Sequence, residues 1–180
     1  MQTVSSIPQK VTINAIYIYL QSIILFCMDN ARSDIAIRII QRMAHKRDDF
    51  AQFYVNLSNE QSVELVTGLK KFLSDIVRNI ANSEKIKEIS NKYGTEQAHK
   101  RSWGFKADFF AALADALTTE CVFLDGAAHQ PTDTIEAWAT LVELMFTHVR
   151  DGYYQKVSVI SHFTNKLSRE MKLRTILKSN

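Results

Sequence analysis

The chain has 180 residues, of which 46% are hydrophobic and 23% charged, with only five Gly and two Pro. That length suits one domain with a single core, and so few turn residues argue against a strand-rich fold, leaving an all-α class. A formal net charge of +3 is too small to point to nucleic acid,.

The first element is the apolar run INAIYIYLQSIILFCM, residues 13–28. It is too short to cross a bilayer, carries Asn14, Gln21 and Ser22, and has no small-residue cleavage site after it. It therefore reads as a buried first helix, and no membrane span is expected. Ser33 or Asp34 can cap a second helix, IAIRIIQRMAHK, whose Ile35, Ile39, Ile40 and Met43 recur at helical spacing,. RDDFAQFYVNLSNEQS reads as a bend, with Ser58 or Asn59 capping the helix that follows,. There Val66, Leu69, Phe72, Leu73, Ile76 and Ile80 form a broad apolar stripe opposite Lys70, Lys71 and Asp75,.

A polar break at residues 81–84 leads to a helix with Ile86, Ile89, Tyr93 and, one turn on, Gln97 along one face,. Trp103-Gly104-Phe105 resets the chain direction. The next helix is apolar at Phe109, Phe110, Leu113, Leu117 and Cys121 and stops at Asp125-Gly126,. Pro131 opens the last long helix, with Ile135, Trp138, Leu141, Val142, Met145, Val149 and Tyr153 at intervals of three to four,. Beyond it, Lys156, Lys166, Arg169, Lys172, Arg174 and Lys178 face only Glu170, a basic tail that reads as a solvated helix or as a contact for lipid or an acidic partner,. The expected organisation is an extension at 1–10, a domain at 11–154 and the tail at 155–180.

Metal and catalytic patterns are sparse. There is no HExxH, no CxxC and no Gly-rich phosphate loop, and His45, His129, His148 and His162 have no partner at ligand or triad spacing, so they read as surface or capping residues,. No pair of carboxylates or nucleophile and base stands out, which leaves a helical enzyme as the weakest reading. Cys27 and Cys121 sit among apolar residues and read as buried thiols of a reducing compartment, hence a cytoplasmic location,.

The order of these segments, from about Val11 to Tyr154, resembles a globin, most of all the divergent globins of nematodes. DIAIRIIQRMAHKRDDFAQFYV is similar to the family's second helix and aromatic bend, PTDTIEAWATLVELMFTHVRDGYY to its final helix, and GFKADFFAALADAL to the start of the helix before that. The resemblance implies a globin-like fold of six to eight helices with a haem crevice. Phe53 falls on the aromatic that packs against the haem plane, Ile39 on the second-helix residue above the iron, and Leu65 on the distal position, with Leu69 one turn along. Arg47 stands where the family usually has a proline. Tyr93 and Phe110 also fall among the residues implied to line the crevice. All the distal groups are apolar, so an oxygen bound there meets no hydrogen-bond donor.

On the proximal side the family tends to read Leu-Gly-x-x-His, whereas this chain reads Tyr93-Gly94-Thr95-Glu96-Gln97, with His99 two residues late. At about 100° per residue the two positions differ by roughly 200°, so they cannot share a face. The apolar stripe favours Gln97 inside. A change of register at Gly94, a poor helix residue, would instead bring His99 to the iron. Two functional expectations follow. In the first, His99 holds a haem that binds a diatomic gas such as oxygen, in sensing or redox work with a redox or signalling partner. In the second, the fold is a haem-free sensor or interaction module.

Overall fold

The computed structural model describes the backbone of residues 9–178 and the side chains of residues 15–171. Among the described residues the chain is all-α: α1 (Gln9–Asp29), α2 (Ile35–Lys46), α3 (Asp48–Val55), α4 (Asn59–Arg78), α5 (Ser83–His99), a 3₁₀ turn (Lys100–Trp103), α6 (Phe109–Asp125) and α7 (Pro131–Lys178). None of these helices is long and apolar enough to cross a membrane.

Local chemistry sets most boundaries. The Ser58 hydroxyl accepts the Gln61 backbone N–H, while the Gln61 side chain accepts that of Ser58 at 2.9 Å, a reciprocal box that starts α4,. Asn82 Oδ1 accepts the Lys85 N–H at 3.0 Å and starts α5,. Gly104 (φ 101°) and Gly126 (φ 56°) close the 3₁₀ turn and α6 in the left-handed region that side chains disfavour,.

The stripes expected on α2, α4 and α6 meet in one core. Ile39 and Ile40 of α2, Leu69 and Phe72 of α4, Phe109 and Phe110 of α6, and Trp138 and Met145 of α7 are all buried in it. Between α2 and α6 the buried Glu120 carboxylate takes the Arg42 guanidinium at 2.7 Å and also pairs with Arg38. Burial of a charge without such partners would be prohibitive.

The tightest crossing is α5 on α7. An ideal Cβ at Gly94 would lie 1.9 Å from the Val149 carbonyl oxygen, and one at Gly152 would lie 2.0 Å from that of Asn91. Backbone touches backbone at both points, as happens where small residues remove the side chain between two helices. Thr95 Oγ1 sits in the same contact, donating to the Asn91 carbonyl at 3.0 Å.

Several expectations are corrected. α1 is not a buried helix. Ile23, Ile24 and Cys27 are buried, but Ile16, Tyr17, Ile18 and Tyr19, half a helix earlier, are exposed, as are Leu25 and Phe26. The bend after α2 contains a full short helix, α3, because Arg47 adopts an extended conformation there and its guanidinium grips the Asp49 carboxylate at 2.9 Å and the Asp108 carbonyl at 3.0 Å. Ile135 lies outward, half exposed. The expected border at 154/155 falls inside α7, which runs 48 residues without a break. Of the expected extension at 1–10, Gln9 and Lys10 belong to α1 and the rest lies outside the described residues.

Because no neighbour can yield at a backbone-to-backbone contact, Gly94→Ala is expected to cost about 2–3 kcal/mol, the upper range for overpacking. Urea unfolding followed by circular dichroism measures it, and an unchanged midpoint would show that the crossing is not close packed.

Candidate functional site

The glycine crossing decides how α5 faces its neighbours. Gly94 neither ends nor loosens the helix, which continues to His99. Its register therefore carries Ile86, Tyr93 and Gln97 inward and leaves His99 exposed,. Gln97 is only 2% exposed, and its Oε1 has no hydrogen-bond partner.

All seven residues expected to line a crevice (Ile39, Phe53, Leu65, Leu69, Tyr93, Gln97 and Phe110) are buried. They are, however, packed against protein. Phe53 lies 5.4 Å from Phe109 and 5.9 Å from Phe105, ring centre to ring centre, and the Tyr93 ring stacks on Phe72 at 4.1 Å,. Burial raises the Tyr93 phenol far above its ordinary range, so it stays protonated,. The void left between Ile40, Met43, Leu65, Leu69 and Tyr93 is about 10 Å³. That is room for roughly one water, against the roughly 300–1,000 Å³ of ordinary ligand and cofactor sites.

This arrangement does not fit a haem held by His99. The imidazole is exposed rather than part of the packed interior, the buried side chain at the family's position is Gln97, and an amide oxygen is a poor iron ligand,. Among the described residues no group of three or more His, Cys, Asp or Glu side chains is placed to hold a metal ion.

What the crossing does create is a cleft. With α5 drawn onto α7, its other side stands off α4, and an open cleft of about 790 Å³ runs between them. Its walls are Val63, Thr67 and Gly68 from α4, Gln97 and His99 from α5, and Trp103 from the turn. Lys100, almost buried, pairs with Glu64 at 2.8 Å and lies 5.0 Å from the centre of the Trp103 ring, which neutralises one rim and fixes the indole,. Further along the seam, Phe72, Ile89 and Tyr93 floor a second hollow of about 310 Å³, next to the Lys71–Asp75 pair.

Gly68 is the wall residue that the reading of α4 as an amphipathic helix passed over. A Cβ built there meets nothing within 4 Å, and its backbone is not in the left-handed region. A glycine in a helix interior costs about 1 kcal/mol relative to alanine. At Gly94 and Gly152 a collision explains the cost; at Gly68 no contact among the described residues does. The signal available in the sequence was a lone glycine inside an otherwise periodic helix.

One histidine departs from its expected isolation. His129 Nδ1 lies 2.6 Å from Asp125 Oδ1, and its backbone N–H donates to Asp125 Oδ2 at 3.1 Å. Burial by itself would raise the Asp125 carboxyl, but the bonds from His129 outweigh it and hold the group below its usual range,. The pair ties the end of α6 to the loop before α7. Cys27 and Cys121 are buried free thiols, as expected, and burial raises both.

No family model matches the chain, and no solved structure matches it. It is 36% identical over 131 residues to an uncharacterized protein of Caenorhabditis elegans, a match covering 73% of this chain and 40% of that protein. The chain thus spans well under half the length of the curated relative it matches.

The lone Gln97 acceptor generates a direct test. Gln97→Met keeps the volume and removes a buried oxygen that has lost water without gaining a partner, so stability is expected to rise by about 1 kcal/mol in urea unfolding. A loss of that size would show the amide to be already satisfied. Gly68→Ala is expected to add about 0.5–1 kcal/mol in the same assay.

Proposed function

We propose that the chain is a globin-like helical domain that works without haem, as a sensor or interaction module. Support for the globin-like reading comes from the order of the seven helices and from their partners: α2 lies on α6, α6 on α7, α1 on α7, and α5 on α7. The placement of Phe53, Ile39, Leu65, Leu69 and Phe110 in one cluster agrees with it.

One observation carries the haem-free part. The interior that a tetrapyrrole would need is filled to within about 10 Å³, and the side chain that α5 presents to it is Tyr93, with no histidine on its lining. The α4–α5 cleft and the outer part of α7 are two places where an activity that needs neither metal nor catalytic pair can act. Beyond Val157, α7 leaves the core. Val159, Phe163 and Leu167 succeed one another at four-residue steps and are all exposed. They form an apolar line on a segment whose charged residues from 155 to 178 are six basic and one acidic. Such a helix suits a partner that offers an apolar groove with an acidic rim, and a signalling protein is the class of partner proposed.

Absorption spectroscopy during hemin titration tests the reading. The wild-type protein and His99→Ala are both expected to show only the broad spectrum of free hemin. A sharp haem band in wild type that His99→Ala abolishes would overturn the haem-free reading. Deletion of residues 155–180 is expected to leave cooperative unfolding intact, since the buried part of α7 ends at Tyr153. It should also remove any protein that the full chain retains in affinity capture.

A further inference from the structure

Two features of the α4–α5 cleft have no explanation within the chain itself. The first is Gln97 Oε1, a buried acceptor without a donor, on a side chain that lines the cleft. The second is Gly68, a helix-interior glycine whose missing side chain makes room for nothing in the protein, on the wall across from it. An orphan polar atom calls for a partner, and an unforced glycine marks a place where something approaches the backbone closely. Both residues line the same cleft.

The walls define what would fit. Val63 and Thr67 offer apolar surface from α4, and Trp103 gives a flat face held in place by Lys100. The nearest buried charge, Lys100, is already paired with Glu64, and Lys71 at the far rim is paired with Asp75. Neither cation is left over for an anion, the Glu60 and Glu96 carboxylates on the same walls would repel one, and the buried group there that lacks a partner is the neutral Gln97 acceptor.

We propose that the α4–α5 cleft, around Gly68 and Gln97, binds a neutral, mostly apolar small molecule that presents an N–H or O–H donor to the Gln97 side chain. This inference rests on the haem-free reading, because it assigns the inward face of Gln97 to a ligand other than iron. The apolar body of the molecule lies between Gly68 and the Trp103 indole. Its donor supplies the hydrogen bond that Gln97 Oε1 lacks,.

The probes are 2-naphthol and 2-methoxynaphthalene, which share a flat apolar body and differ in having or lacking a donor. Binding to the full chain is followed by backbone-amide and indole NMR shifts. 2-Naphthol is expected to bind roughly fivefold more tightly, the worth of one ordinary hydrogen bond, with shifts centred on Gly68, Gln97 and Trp103. In Gln97→Met that preference should vanish while both probes still bind. In Gly68→Phe, whose side chain enters the open cleft, both affinities should fall at least tenfold. Thr67→Trp, at an exposed position on the same wall, replaces it if circular dichroism shows Gly68→Phe unfolded. Equal affinities in wild type, a preference that survives Gln97→Met, or undiminished binding to a folded Gly68→Phe would each overturn the proposal. The hemin titration is read separately. A haem band together with intact naphthol preference refutes only the haem-free reading, whereas no preference in a protein that takes no haem refutes only the cleft site.

Discussion

The rest of the structure depends on the contact of two backbones, α5 at Asn91–Gly94 against α7 at Val149–Gly152, where no side chain fits between. A contact of that kind fixes both translation and rotation, because a step along either helix replaces a glycine by a residue with a Cβ. From it follow the unbroken course of α5 through Gly94, the inward face of Tyr93 and Gln97, and the exposure of His99. The separation of α5 from α4 follows as well. A helix committed so closely to one neighbour cannot also press fully on the opposite one, and the cleft is what remains.

This contact also explains what could and could not be read from the sequence. The stripes of α2, α4 and α6 were legible because a periodic apolar face has one dominant use, burial against a core. A cap at Ser58 or Asn59, and the stop at Asp125-Gly126, were legible because caps are local chemistry. Gly94 was not. On paper it is either a weak point at which a helix shifts register or a place where another helix comes close, and only the position of Val149 distinguishes the two. The inward placement of Gln97 was favoured by its place four residues after Tyr93, but it depended on that same choice. Gly68 is visible in the sequence as a lone glycine inside a periodic helix, but its lack of neighbours appears only in three dimensions,. The half-exposed α1 was misread because INAIYIYLQSIILFCM is apolar on all sides, so nothing in it tells which end reaches the core.

The buried charges are of a different kind from the Gln97 acceptor. Glu120 is met by Arg38 and Arg42, and Asp125 by His129, so each carboxylate has an oppositely charged or hydrogen-bonding partner on another element or loop. They join α2 to α6, and α6 to the approach of α7. A satisfied buried pair says little about function, since its partners account for it. An unsatisfied buried atom beside open space is more informative, because its cost has no return within the chain.

The same reasoning constrains how the cleft and the outer part of α7 can be related. α7 is one continuous helix of 48 residues, about 72 Å at the usual rise, and α5 is locked to it near its middle,. These two helices therefore behave as one body that includes the segment carrying Val159, Phe163 and Leu167. α4 forms the other wall of the cleft and is joined to α5 by looser side-chain contacts such as Lys100 with Glu64 and Phe72 with Tyr93. Any opening or closing of the cleft must then be a movement of α4 against the α5–α7 pair. Side-chain contacts can slide where a backbone contact through glycine cannot, so the wall bearing Gly68 is the one free to respond to what lies in the cleft.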